Sequence, residues 1–283
     1  QAYTAILNQI RVGKLYKSAL ETLTPHIGKT LPATFVPTIL LPRRREAEQI
    51  NALELAKLPS EKKVYTLARA DILPEKAQPQ HNNTISAEQR EMEYTFLVNN
   101  IMADKEVVLK KGAQVMCIAN IDMESAEPIV NGSQGIIIDF VNNLPLVQFN
   151  NGARRTVGYH TWSSETYPSI GVKQIPLIYA WAITIHKAQG VSLDMAQIDA
   201  GSNIFECGQT YVALSRIKSL DGLYLTAFNP QKIKVNKKVQ EFYATLPQAA
   251  NATLPQAANA TLPQAANATL PQAANATSPP TAL

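Results

Sequence analysis

Residues 175–183 read IPLIYAWAI, an apolar run interrupted only by a proline near its start. A bilayer-spanning helix needs about 20 such residues, so this run is too short to cross a membrane. An amphipathic element would alternate apolar and polar positions. A segment apolar at every position is instead buried on both faces, as in a parallel α/β sheet. The run predicts one such strand. Thr184 follows as a helix N-cap and Gly190 as the residue after a helix end, so residues 184–190 (TIHKAQG) predict one or two helical turns. A helix start presents free N–H groups and partial positive charge, which suits a phosphate. Thr184, His186, Lys187 and Gln189 supply donors beside it. Spacing alone does not choose between this anion-binding turn and an ordinary strand–helix turn with solvated polar side chains.

A second constellation follows about twenty residues later. In residues 205–217, Tyr211, Leu214 and Ile217 recur at helical spacing, with Gly208 near the start and Arg216 near the end. Residues 223–228 then read as a strand. An arginine in this place has three readings: solvated, capping the last helical carbonyls, or reaching a nucleotide held by a neighbouring domain.

Two strings carry a family resemblance. IPLIYAWAITIHKAQGVSLD resembles the fifth motif of the Pif-type helicases of superfamily one, relatives of RecD, and GQTYVALSRIKSLDGL resembles their sixth. PTILLPRRREAEQIN, a strand followed by a helix over residues 44–58, is similar to the fourth motif. Ala47, Ile50, Leu53 and Leu55 are its apolar positions, and three arginines at a helix start favour an anionic partner. LKKGAQVMCIANID and VNGSQGIIIDF resemble a small barrel inserted in the second motor domain of these helicases. The resemblance implies that Arg216 is an arginine finger on the γ-phosphate. It implies that Arg44, Gly190 and Gln209 belong to the ATP site. Thr184, His186, Lys187, Gln189 and Ser192 become DNA-side or coupling residues. ATP and Mg, single-stranded or forked DNA, and roles in DNA repair, recombination and telomere maintenance are the implied cofactors, partners and context.

The implied fold class is α/β: a RecA-like parallel-sheet motor domain with an inserted small β-barrel and a disordered repeat tail. Residues 2–23 read as two helical stretches broken at Gly13, and YTAILNQIRVGKL resembles the segment that closes the first motor domain, to which 1–30 are assigned. The second motor domain takes 31–105 and 161–243, and the barrel takes 106–160. In that barrel stretch, short β-rich runs alternate with Asn-Gly and Asn-Asn turns, which favour tight hairpins. A strand is expected at 35–41, another at 64–68, and a surface excursion at 74–93. From residue 244 the chain carries no charge and no aromatic. LPQAANAT repeats four times there, a composition that cannot bury a core.

Composition narrows the alternatives. The 283 residues carry a formal net charge of +4, compatible with nucleic acid without requiring it. Cys117 and Cys207 form no disulfide framework and point to a reducing, intracellular compartment: nucleus or mitochondrion in a eukaryote, otherwise cytoplasm. The four histidines show no metal-ligand spacing, and no membrane partner is expected. Gly28-Lys29-Thr30 is not a P-loop, because Leu23 stands where the first glycine belongs and Pro25 falls inside the loop. No Asp-Glu pair occurs either. A chain starting at Gln1 with neither feature is expected to be the C-terminal part of a helicase, inactive on ATP by itself. Two other readings stand beside it: an ATPase-inactive nucleic-acid-binding remnant, and an interaction protein whose barrel binds peptides.

Overall fold

The computed structural model describes residues 2–31, 37–72 and 85–245. The repeats beyond residue 245, residues 74–84 of the expected excursion, and Phe35 and Val36 lie outside the described residues. In chain order the elements are α1 (Ala2–Arg11), α2 (Lys17–Leu23), β1 (Thr38–Leu41), α3 (Arg44–Lys57), β2 (Lys63–Thr66), β3 (Ala68–Asp71) and α4 (Ala87–Asn100). There follow β4 (Glu106–Leu109), β5 (Gln114–Cys117), β6 (Gln134–Val141), β7 (Leu144–Phe149), β8 (Arg154–Thr156), β9 (His160–Ser163) and β10 (Ile170–Gln174). The chain then forms β11 (Leu177–Tyr179), β12 (Ala182–Thr184), β13 (Ala196–Ala200), α5 (Gln209–Leu214), β14 (Leu223–Phe228) and α6 (Lys237–Thr245).

One sheet is wholly parallel, in the order β12-β1-β13-β14. A second is antiparallel, in the order β11-β5-β6-β7-β8. β3-β10-β9 form a third sheet, under α4, and β2 pairs with β4. The largest core unites α1 and α2 with the parallel sheet: Tyr3, Ile6, Ile10, Ala19 and Leu23 pack in one cluster with Leu40, Ile183, Ile198 and Leu225. The Tyr3 hydroxyl donates to Leu214 O at 2.6 Å, tying α1 to the end of α5.

The run 175–183 is not one strand. β11 belongs to the antiparallel sheet and β12 to the parallel sheet, with Ala180 and Trp181 between them. Its unbroken apolarity has a different cause from the one expected. Ile175, Leu177 and Trp181 face one core, while Ile178, Ala180 and Ile183 face another. The crossing is held by polar side chains. Thr38 Oγ1 donates to Ala180 O at 2.6 Å, and Gln134 Nε2 donates to Thr38 Oγ1 at 2.6 Å. Asn51 brackets Ala182, donating to its carbonyl at 2.7 Å and accepting from its amide at 2.9 Å.

Other expectations need correction. The strand at 64–68 is two short strands, β2 and β3, in different sheets. Part of the expected excursion is helix α4, started by a capping box in which Ser86 Oγ and the Gln89 side chain each satisfy the other's backbone N–H. In α3, Ala47 is buried as expected, but Leu53 is 59% exposed, because only one face of that helix meets β1 and β12. The helix within 205–217 is shorter than its spacing suggested, Gln209–Leu214. Asn142 and Asn143 both take positive φ, +50° and +62°, as the turn joining β6 to β7 requires.

Candidate nucleotide and nucleic-acid interface

Open parallel sheets bind ligands beyond the carboxyl ends of their strands. At that edge β1 ends at Leu41, and Pro42 leads into the arginine triplet. Arg43, Arg44 and Arg45 are all exposed. Arg44 pairs with Glu48 one turn along α3, which raises its pKa, whereas Arg43 and Arg45 make no ion pair among the described residues. The start of α3 has no side-chain cap, so its free N–H groups lie beside the exposed guanidinium groups of Arg43 and Arg45.

β12 ends at Thr184, and the chain then turns rather than winding into the expected helix. Ala188 N bonds back to Thr184 O, but Gln189 N bonds to His186 O and Val191 N to Ala188 O, so no repeating ladder forms. Part of the expected capping chemistry survives. Thr184 is buried and its Oγ1 accepts from Lys187 N at 3.2 Å, and Gly190 closes the turn at φ +83°. His186 Nε2 lies 2.8 Å from Glu206 Oε2 and its ring is 6.4 Å from that of Phe205, which is 53% exposed. The Lys187 ammonium lies 3.7 Å from Asp104. Arg44, Thr184 and Lys187 together line a cavity of about 230 Å³ with Tyr179 and Asn51. Burial raises the Tyr179 phenol to about 12, so it stays a neutral donor. Gln189 and Ser192 are exposed.

The structure separates residues that the sequence grouped. α5 connects two parallel strands, so it returns the chain from one end of the sheet to the other. Gln209 sits at its start, 3% exposed. Its Oε1 accepts from Phe205 N and its Nε2 donates to Pro42 O. This side chain pins the 205–208 loop to the end of β1 and has no surface for a ligand. Arg216 lies at the far end, where Ile217 bridges Leu193 ahead of β13. The guanidinium is half-buried and donates through Nε to Val212 O at 2.9 Å, through Nη1 to Val191 O at 3.2 Å and through Nη2 to Ser215 Oγ at 2.8 Å. Of the three readings of this arginine, capping is the one visible here. Among the described residues, two of its five N–H groups remain unspent.

Beside Val191 runs an open groove of about 580 Å³ between the antiparallel sheet and the 190–194 segment. Gly190 and Ser192 form one side, and Asn131, Ser133, Asn150 and Asn151 the other. Sequence reasoning missed this wall, because those asparagines registered only as turn formers. Nothing in the spacing shows that two turns of one sheet converge on the segment after the fifth motif. Lys218 and Asp194 close one end as a 2.7 Å pair. The Gly28-Lys29-Thr30 string lies elsewhere: Gly28 N bonds to Leu225 O, and the Lys29 ammonium donates to Asp221 O and sits over the Tyr224 ring. Among the described residues no three His, Cys, Asp or Glu side chains are grouped to hold a metal ion, and no helix is long and apolar enough to cross a membrane.

A family model described as DNA helicase Pif1, 2B domain, matches residues 95–140, from within α4 to β6. Over 250 residues the chain is 32% identical to the ATP-dependent DNA helicase PIF1 of Xenopus laevis, covering 85% of this chain and 35% of that protein. The chain is homologous to the Pif1 helicases. It is also 32% identical over 241 residues to the ATP-dependent DNA helicase Pif1 of Bdellovibrio bacteriovorus, of which it covers 50%. Among solved structures, the Pif1 helicase from Candida albicans superposes with a TM-score of 0.61 at 31% identity, covering 87% of this chain and 57% of that one. Bacteroides sp. Pif1 in complex with ADP-AlF4 gives a TM-score of 0.67 at 25% identity, covering 88% and 54%. The chain thus spans about a third to a half of the curated Pif1 relatives named here. Its mixed α/β architecture around a parallel sheet is that of Pif1 motor structures.

Proposed function

We propose that this chain is the C-terminal portion of an ATP-dependent DNA helicase. The observation that carries this reading is homology to Pif1 helicases that runs through both the parallel sheet and the antiparallel insert, across 85% of the chain. In this reading, residues 31–105 and 161–243 are a second RecA-like motor domain, and residues 106–160 are its inserted barrel. Residues 1–30 belong to the closing segment of a first motor domain. Arg216 is the arginine finger. It lies in the segment similar to the sixth motif, and its two unspent N–H groups allow it to turn toward a phosphate. Arg43 and Arg45 join Arg44 at the opposite end of the sheet from Arg216, as cations for the phosphates of the DNA strand, while Gln209 positions the loop beneath them. The turn from Thr184 to Gln189 and the groove beside Ser192 take single-stranded DNA.

The chemistry asked of Arg216 is electrostatic. Negative charge spreads over the transferred phosphoryl oxygens, and a positioned guanidinium stabilises it. In GTPases such a finger contributes about 10³–10⁵ in rate. A metal ion bound with the nucleotide would neutralise further charge. Among the described residues no three His, Cys, Asp or Glu side chains are grouped to hold it, and in this reading its ligands would come from a first motor domain. The isolated chain is therefore expected to bind single strands without hydrolysing ATP.

The test has two arms. Purified chain is assayed for ATP turnover with and without an oligothymidylate. Strand-stimulated turnover that persists through purification would overturn the division of labour. Joined to a P-loop motor domain, Arg216→Ala should remove turnover and leave strand affinity within a few fold; equal loss of both would make Arg216 purely structural.

A further inference from the structure

Val191 is gripped from two sides. On one side Arg216 Nη1 donates to its carbonyl at 3.2 Å. On the other, its side chain packs on Gly132, at the tip of the turn leading into β6. A Cβ added at Gly132 would stand 2.6 Å from Val191 Cγ1, so only a glycine permits the approach. Gly132 also takes φ +96°, a backbone conformation that other residues avoid. Val191 is fully buried, and its amide bonds back to Ala188 O, within the turn that follows Thr184. Gly132 N is held in turn by Cys117 O at 2.8 Å. Both residues adjoin the groove, Gly132 in its wall and Val191 between Gly190 and Ser192.

We infer that Arg216 is a positioning residue for this groove, acting through Val191 on the Gly132 turn. The guanidinium holds the Val191 carbonyl, Val191 holds the glycine tip, and the tip sets the asparagine-bearing wall. Resting on the helicase reading above, this gives the nucleotide site a mechanical route to the nucleic-acid groove. When Arg216 turns so far toward a phosphate that its Nη1 bond is given up, Val191 is released and the two walls part.

The link is tested in this chain without ATP, by hydrogen exchange on wild type, Arg216→Lys and Arg216→Ala. Removing the fork is expected to speed exchange in peptides covering 188–193 and 128–134. The expected rise is about tenfold to a hundredfold, the shift in local opening when one hydrogen bond to a charged group is lost. Peptides covering β13 and β14 should keep their protection and so report an intact fold. Lysine restores the charge but cannot span Val212 O and Val191 O together, so it should fall between wild type and alanine. A rise confined to 209–218, with 128–134 unchanged in both variants, would overturn the inference. If alanine unfolds the sheet, the lysine variant decides. Loss of the helicase reading in the turnover assay would leave this exchange result standing, and the converse holds too.

Discussion

The hydroxyl of Thr38 is fully buried between two sheets, accepting from Gln134 and donating to Ala180 O. Thr38→Val keeps the shape and strands the Gln134 amide, so urea unfolding should show a loss of about 1–3 kcal/mol, the cost of an unsatisfied buried donor. Thr38→Ser should recover most of it. The two cysteines make a second contrast. Burial raises the Cys117 thiol to about 11, whereas Cys207 is exposed. Because the thiolate is the nucleophile, iodoacetamide at pH 8 should label Cys207 in the native chain and reach Cys117 only after denaturation. Arg216 belongs to this scale as well. Its type and position were legible from the sixth-motif string, but its three bonds to Val212, Val191 and Ser215 were not, since two of those partners are set by how α5 ends.

At the scale of elements, local signals worked where the partner was local. The Asn142–Asn143 turn, the break between α1 and α2 at Gly13, and the start of α3 at Arg44 follow from neighbours in sequence. Ser86 and Gln89 cap α4 by the same local logic, and Ser86→Ala should cost about 1 kcal/mol, read as a lower thermal midpoint. The apolar run at 175–183 failed as a single strand for a non-local reason. Two cores press on it from opposite sides, and the chain changes sheets at Ala180. The turn after Thr184 failed as a helix because one bond spanning four residues gives way to two spanning three, with no consecutive i−4 ladder. Gly132→Ala tests the contact between elements. It meets Val191 and an unfavourable φ together, so a loss of about 2 kcal/mol or more is expected in urea unfolding.

For the whole molecule, pH and salt are the useful probes. Burial holds His160 below its ordinary value of 6.5, so the folded state binds fewer protons than the unfolded one below that pH. Stability should therefore fall as pH drops from about 6.5 toward the folded pKa. His160→Gln should flatten the difference between melting temperatures at pH 7.5 and 5.5. Single-strand binding, if carried by Arg43, Arg45 and the lysines, should weaken steeply with added salt, and a flat response would count against phosphate contacts. The motif strings by themselves determined the α/β class, the Pif1 kinship and the chemical identity of the cations, because those depend on residue type and local spacing. Only the tertiary structure decided that Gln209 is buried at one end of α5 while Arg216 caps the other. It alone brought the asparagine turns beside Ser192. Those are meetings of residues 40 to 170 positions apart, and close packing across sheets, which leaves no periodic trace along a chain, is what arranges them.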